Sequence, residues 1–216
     1  MLIIGLTGGI ASGKSIVMRT FRELEVPTFD ADVMARQLTE PHQPAWREIL
    51  GHFGEDLCLA DGTLDRARLG TLVFSDPEKR RVLEGIVLPR MKEYLYGQRD
   101  QLAQQGKTFL IIEGATILEA NYRGFCDSLI VVHTTPEVQL QRLIERNGYS
   151  REEALLRVQA QMPLEEKVKY ADFVIYNTGS LEETLRQVRE LHGHLRSLPA
   201  TLRARPDALR ESPSPA

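Results

Sequence analysis

Leu2-Ile3-Ile4-Gly5-Leu6-Thr7-Gly8-Gly9-Ile10-Ala11-Ser12-Gly13-Lys14-Ser15 is the stretch whose reading decides the fold. Leu2 to Leu6 is a short apolar run ending in glycines, the pattern of a strand buried in a parallel sheet. Gly8 to Ser15 fits G-x-x-x-x-G-K-[ST], and Ser15 to Leu24 follows as a helix with Ile16, Val17, Thr20, Phe21 and Leu24 at helical spacing. Glycines let the backbone bend so that successive N–H groups converge on phosphate oxygens. The positive end of the following helix faces the same anion. Lys14 reaches β- and γ-phosphates, and Ser15 offers a hydroxyl to Mg²⁺. The reading implies nucleoside-triphosphate binding through Gly9, Ile10, Ala11, Ser12, Gly13, Lys14, Ser15 and Ile16, and leaves open what is done with the nucleotide.

Strands and helices alternate outward from this point. Val26-Pro27-Thr28-Phe29, Phe109 to Ile112, Leu129 to Val132 and Phe173 to Tyr176 read as four further strands. Helical patterns run over Pro136–Arg146, Arg151–Gln161 and Leu181–Leu195. This predicts an α/β fold in which a five-stranded parallel sheet is covered on both faces. From Asp32 to about Gly106 the only convincing patterns are helical (Ala45–Phe53, Asp65–Phe74 and Glu78–Gln104), so 32–106 is expected to be an inserted helical subdomain. Residues 1–31 and 107–197 then form the core. The stretch 198–216 holds Pro199, Pro206, Pro213 and Pro215, and is expected to be a mobile tail.

Composition restricts the classes. The 216 residues carry 27 basic and 30 acidic side chains, a net charge of −3, which gives no reason to expect a nucleic-acid partner. No apolar run approaches the roughly 18 residues of a membrane span. The N-terminus lacks the basic region of a signal peptide. Two cysteines, Cys58 and Cys126, are too few for a disulfide framework. The expectation is a cytoplasmic protein with no membrane or obligate protein partner. Nothing specifies guanine, and no Cys/His cluster suggests zinc.

Three features outside the loop point to chemistry. Asp30-Ala31-Asp32 lies where the second strand meets a helix, at the strand ends where ligands gather in open parallel sheets. Either carboxylate can take a hydroxyl proton or hold the metal's water shell, and either can be a helix N-cap. Arg142 and Arg146 share one helix face, with Arg151 and Arg157 beyond. They can clamp a triphosphate, stabilise moving charge, or form a solvated basic face. Glu113 ends an apolar strand, as the second acidic element of nucleotide-binding proteins does, and equally suits an ordinary strand end.

The ordered motif set resembles the dephospho-coenzyme A kinase family. Leu6-Thr7-Gly8-Gly9-Ile10-Ala11-Ser12-Gly13-Lys14-Ser15 is similar to that family's LTGGI-x-SGKS, and Asp30 to Arg36 to its DAD-x-x-AR. Asp61 to Arg66, Leu69-Gly70 and Val73-Phe74 match its insert, and Gln139-x-x-Arg142 with Arg146 its lid. Ala171-Asp172 through Asn177-x-Gly179 matches its ending. The resemblance implies a P-loop nucleoside triphosphate hydrolase fold with three α/β/α layers, a five-stranded parallel sheet, a helical substrate-binding insert and a lid at about 138–162. It implies transfer of the ATP γ-phosphoryl to the ribose 3′-hydroxyl of dephospho-CoA, with Mg²⁺. Lys14, Asp32, Arg142 and Arg146 would be catalytic, Asp32 as base. Arg142 and Asn177 would also serve ATP, and Thr7, Asp32, Arg36 and Glu113 the acceptor. The sequence departs at Ile16 (commonly Thr), at Leu88-Pro89 (for His-Pro) and at Ala115 to Glu119 (for P-L-L-x-E), the last two on the acceptor side that the resemblance implies. A related kinase for another small hydroxyl acceptor and a nucleotide-dependent switch are the competing readings.

Overall fold

The computed structural model describes residues 1–120 and 122–198. Along the chain run β1 (Leu2–Gly8), α1 (Lys14–Glu23), β2 (Thr28–Asp30), α2 (Ala31–Leu38), α3 (Pro44–Phe53), α4 (Arg66–Ser75) and α5 (Pro77–Gln104). Then come β3 (Phe109–Glu113), β4 (Ser128–His133), α6 (Pro136–Asn147), α7 (Arg151–Gln159), α8 (Leu164–Val168), β5 (Phe173–Tyr176) and α9 (Leu181–Ser197).

Every residue of β1 is buried because β1 is the middle strand of a five-stranded parallel sheet ordered β2-β3-β1-β4-β5. Ile4 lies opposite Ile111 of β3 and Ser128 of β4, and Val131 opposite Val174 of β5. Side chains alternate between the faces. Leu2, Ile4 and Leu6 pack with Ile130 and Val132 against Val17, Met18 and Phe21 of α1 and Val188 and Leu195 of α9. The intervening Leu129 and Val131 pack on the other face with Ile117 and with Leu164 of α8. Two apolar faces on one sheet produce the three layers.

Helix ends follow local chemistry. Thr135 caps α6 by accepting from the Val138 N–H, Gly148 ends it in the left-handed region, and Ser150 with Glu153 forms a capping box on α7. The helix read over Arg151–Gln161 stops at Gln159, and α8 is a separate element. Pro163 has no N–H to continue α7 and stands instead at the N-cap of α8. The second strand is displaced from the expected Val26–Phe29 to Thr28–Asp30. Glu25 is left-handed, with φ 57°, and Pro27 contributes its carbonyl to the Ile111 N–H at 2.9 Å.

The chain divides into two compact units, residues 1–29 with 99–216 and residues 30–98. The expected boundaries were 31/32 and 106/107. In the second unit Ile49 and Leu50 of α3 are buried together with Leu57, Leu69 and Met91. Trp46 is half-buried and donates its indole N–H to Gly62 O at 2.9 Å. The expected tail lies outside the described residues, apart from Leu198. Among the described residues no helix is long and apolar enough to cross a membrane.

Two stability measurements check this packing. Phe21 is fully buried, whereas Arg19 on the same helix is exposed and paired with Glu23. Phe21→Ala should cost about 3–5 kcal/mol in denaturant unfolding and Arg19→Ala at most about 0.5 kcal/mol. Burial, and then the charge of Arg196, hold the His192 imidazole below its ordinary value of 6.5. The unfolded chain therefore takes up that proton more readily than the native one. Stability should fall as pH drops below about 6.5, and His192→Phe should flatten the slope of Tm against pH in that window.

Candidate active site

The loop from Gly8 to Gly13 leaves β1 and enters α1 directly. Ala11 and Gly13 take positive φ values of 56° and 97°, and such alternation turns successive amides toward one concavity. Gly13 caps α1 without a side-chain acceptor, which leaves the first-turn amides for an anion. Lys14 folds over the loop, its Nζ donating to Gly8 O at 3.1 Å and Gly9 O at 3.2 Å. Ser15 stands exposed at the helix start.

The carbonyls of Ile10, Ala11 and Ser12 point out of the loop, and side chains from residue 139 onward meet them. Gln139 Nε2 donates to Ile10 O at 2.6 Å. Arg142 Nη1 donates to Ala11 O at 3.2 Å and Ser12 O at 3.4 Å. Asn177 Nδ2 donates to Ser12 O at 2.8 Å. Asn177 is itself fixed: its Oδ1 accepts from Thr184 Oγ1 at 2.9 Å, and its carbonyl accepts from Thr134 Oγ1 at 3.1 Å and Arg142 Nη2 at 3.0 Å. A Cβ at Gly13 would lie 1.9 Å from Asn177 Nδ2, and one at Gly9 2.5 Å from Gln139 Nε2. Gly13 is required by its φ and by the prop behind it, whereas at Gly9 the constraint is the Gln139 amide alone.

A family model described as dephospho-CoA kinase matches residues 2–183. The chain belongs to the dephospho-CoA kinase family. It is 45% identical over 185 residues to a dephospho-CoA kinase of Listeria monocytogenes, covering 86% of this chain and 92% of that one. A dephospho-CoA kinase of Carboxydothermus hydrogenoformans is likewise 45% identical, over 186 residues and 90% of its length. Among solved structures, a Thermus thermophilus protein superposes with a TM-score of 0.72 at 35% identity, over 90% of this chain and 97% of that one. The Campylobacter jejuni dephospho-CoA kinase superposes with a TM-score of 0.64 at 27% identity, over 89% and 96%.

Within this dephospho-CoA kinase fold, the other candidates sit as follows. Arg142 joins the loop from behind, while Arg146, one turn on, is exposed and bonds Asn147 Oδ1 at 2.9 Å. Glu113 pairs with Arg22 at 3.3 Å, and Thr7 donates to Ala115 O at 3.2 Å. In the second unit, Asp30 Oδ1 accepts from the N–H groups of Asp32 and Val33 at 2.8 and 3.0 Å. Asp30 is therefore the N-cap of α2, and Asp32 is exposed in its first turn. Arg36 is also exposed. Arg66 donates to Arg36 O at 3.3 Å and Thr39 Oγ1 at 2.9 Å. Burial, and then the Arg36 charge, push the Arg66 guanidinium below its ordinary range, so two cations share this corner.

Sequence reasoning missed Thr134, Thr184, Gln161 and Lys167. Lys167 is fully buried, ion-paired to Glu119 at 2.8 Å and donating to Ala115 O at 2.6 Å. Its position on a short polar helix gives no hint of burial.

Gly13→Ala tests the propped loop. Holding an L-residue left-handed costs about 1–2 kcal/mol, and the new methyl collides with Asn177. ATP affinity should fall at least about tenfold, with calorimetric titration as the measurement.

Proposed function

We propose that this chain transfers the γ-phosphoryl of ATP to the ribose 3′-hydroxyl of dephospho-CoA, in the cytoplasm, completing coenzyme A. The observation that carries the reading is the propped phosphate loop within a chain whose family match spans residues 2–183. The buried Ser12 hydroxyl supports nucleotide binding, because it finds no partner among the described residues and a phosphate oxygen in the loop would supply one.

In this reaction the acceptor oxygen bonds to Pγ, the bond from Pγ to the β–γ bridging oxygen breaks, and ADP leaves. The transition state is loose, so positioning and charge neutralisation supply most of the rate. The loop amides and Lys14 bind the β- and γ-phosphates. Arg142, committed to the loop carbonyls, serves the adenine side together with Asn177, and Arg146 reaches phosphate. Asp32 takes the hydroxyl proton late in the transfer. Arg36, with Arg66 beside it, holds the anionic acceptor, and Thr7 and Glu113 border it. Residues 32–106 act as the acceptor subdomain and 138–162 as the lid that excludes water.

The donor set suits Mg²⁺ carried in with the triphosphate. Among the described residues no cluster of three His, Cys, Asp or Glu could form a protein cage, and Mg²⁺ in kinases leans on substrate phosphates and few protein ligands. Ser15 would hold it, and the ion when bound neutralises charge on the β- and γ-oxygens.

The test is ADP release from Mg·ATP, dependent on dephospho-CoA, with other small hydroxyl acceptors alongside. Lys14→Ala should lower kcat/KM about 10²–10³-fold, and Asp32→Asn should lower kcat about 10²–10⁴-fold. Wild-type protein releasing no acceptor-dependent ADP would sink the proposal. Release with another acceptor alone would reassign the substrate, to which the departures at Leu88 and Ala115–Leu118 are relevant.

A further inference from the structure

The geometry points to Gln139 and Gln161 as positioning residues that grip a single residue of the phosphate loop, Ile10, through the two peptide units that flank it. This inference rests on the nucleotide-binding reading of that loop. Ile10 N–H donates to Gln161 Oε1 at 2.7 Å, and Ile10 O accepts from Gln139 Nε2 at 2.6 Å. Two glutamines thus satisfy both backbone groups of one residue, one as acceptor and one as donor, across 151 and 129 positions of sequence. The Ile10 amide, expected among the phosphate binders, is engaged by Gln161. The inward set must therefore be built from the amides that follow it.

Both glutamines are held on fixed supports. Gln139 is 4% exposed in the first turns of α6, and its Nε2 lies so close to Gly9 that a Cβ there would displace it. Gln161 follows α7 and is braced by its neighbour, whose Met162 N–H donates to Glu119 Oε1 at 3.3 Å. That same oxygen is the partner of the buried Lys167, at 2.8 Å. Ile10 and Ala11 also pack against the apolar cluster of Leu140, Leu143 and Ala154 on α6 and α7. The loop's outer crest is therefore fastened to the proposed lid segment by a polar grip and an apolar seat at the same residue. Rotating either peptide that flanks Ile10 would break one of these bonds, and the Ile10–Ala11 peptide carries the Ala11 N–H, so the grip fixes where that donor points before nucleotide arrives.

Gln139→Met and Gln161→Met keep side-chain length and remove the donor or the acceptor. ATP dissociation constants from calorimetric titration, and steady-state KM for each substrate, separate the outcomes. Each variant should weaken ATP about tenfold, the scale of one lost hydrogen bond to a positioned group. The KM for dephospho-CoA should stay within about twofold, because the proposal assigns Ile10 to the nucleotide loop and the acceptor to Thr7, Asp32, Arg36 and Glu113. The double variant should lose little more than the worse single one, since either loss frees the same residue, Ile10. Gln161→Ala, read by the same titration, replaces any variant whose far-ultraviolet circular dichroism departs from wild type. ATP affinity within twofold of wild type in folded variants overturns the grip, as does a double variant whose losses multiply. Wild-type protein that binds no ATP overturns the nucleotide reading itself, so the two failures are distinct.

Discussion

A loop that turns its amides inward for an anion must turn its carbonyls outward, and outward here means into protein. That constraint organises the molecule. Water cannot satisfy the carbonyls of Ile10, Ala11 and Ser12 without loosening the loop, and a buried unpaired carbonyl is costly. The chain supplies an amide, a guanidinium and a second amide from α6 and the end of β5. Arg142 suits this post because its fork reaches three carbonyls at once and cannot lose its charge. Asn177 suits it because, with Thr184 holding its oxygen, its nitrogen can only face Ser12.

The sheet order follows the same demand. β1 sits centrally, so its loop emerges beside the ends of β3 and β4 and can be reached from either side. β4 leads to Thr134 and α6, and β5 to Asn177. On the β3 side, Thr7 and the buried Lys167 both bond Ala115 O. The strand exit that departs most from the family pattern is therefore pinned twice. Removing one partner of the Glu119–Lys167 pair would leave a buried charge, so that segment has little freedom to adjust.

Much of this was legible in the sequence. The apolar runs at Leu2–Leu6, Phe109–Ile112 and Leu129–Val132 carry buried parallel strands, and G-x-x-x-x-G-K-S marks its own loop. The displaced second strand was not legible: Pro27 looks like a strand start, and a left-handed Glu25 has no sequence signal. The helix read over Arg151–Gln161 already stopped short of Pro163, and the five-residue α8 beyond it was not read at all, being too short to show a period. Asp30 and Asp32 could not be separated without backbone geometry, because either can cap a helix. Thr134, Gln161 and Lys167 act through contacts 43, 151 and 52 positions away, and Thr184 through an asparagine that no local pattern marks as its partner. Gln139 was visible only as part of the Gln139-x-x-Arg142 pattern that resembles the family's lid.

The distances along the chain between the loop and its props have a consequence for how the protein is made. Gln139, Arg142 and Asn177 lie 129, 131 and 165 residues beyond the carbonyls that they meet. Ribosomal synthesis runs from the amino end, so the motif emerges early and remains unfinished until most of the chain has followed. Such long-range closures come late in folding. A nascent chain therefore carries the nucleotide signature well before it carries a nucleotide site, and competence arrives only when β5 and the start of α9 join the sheet.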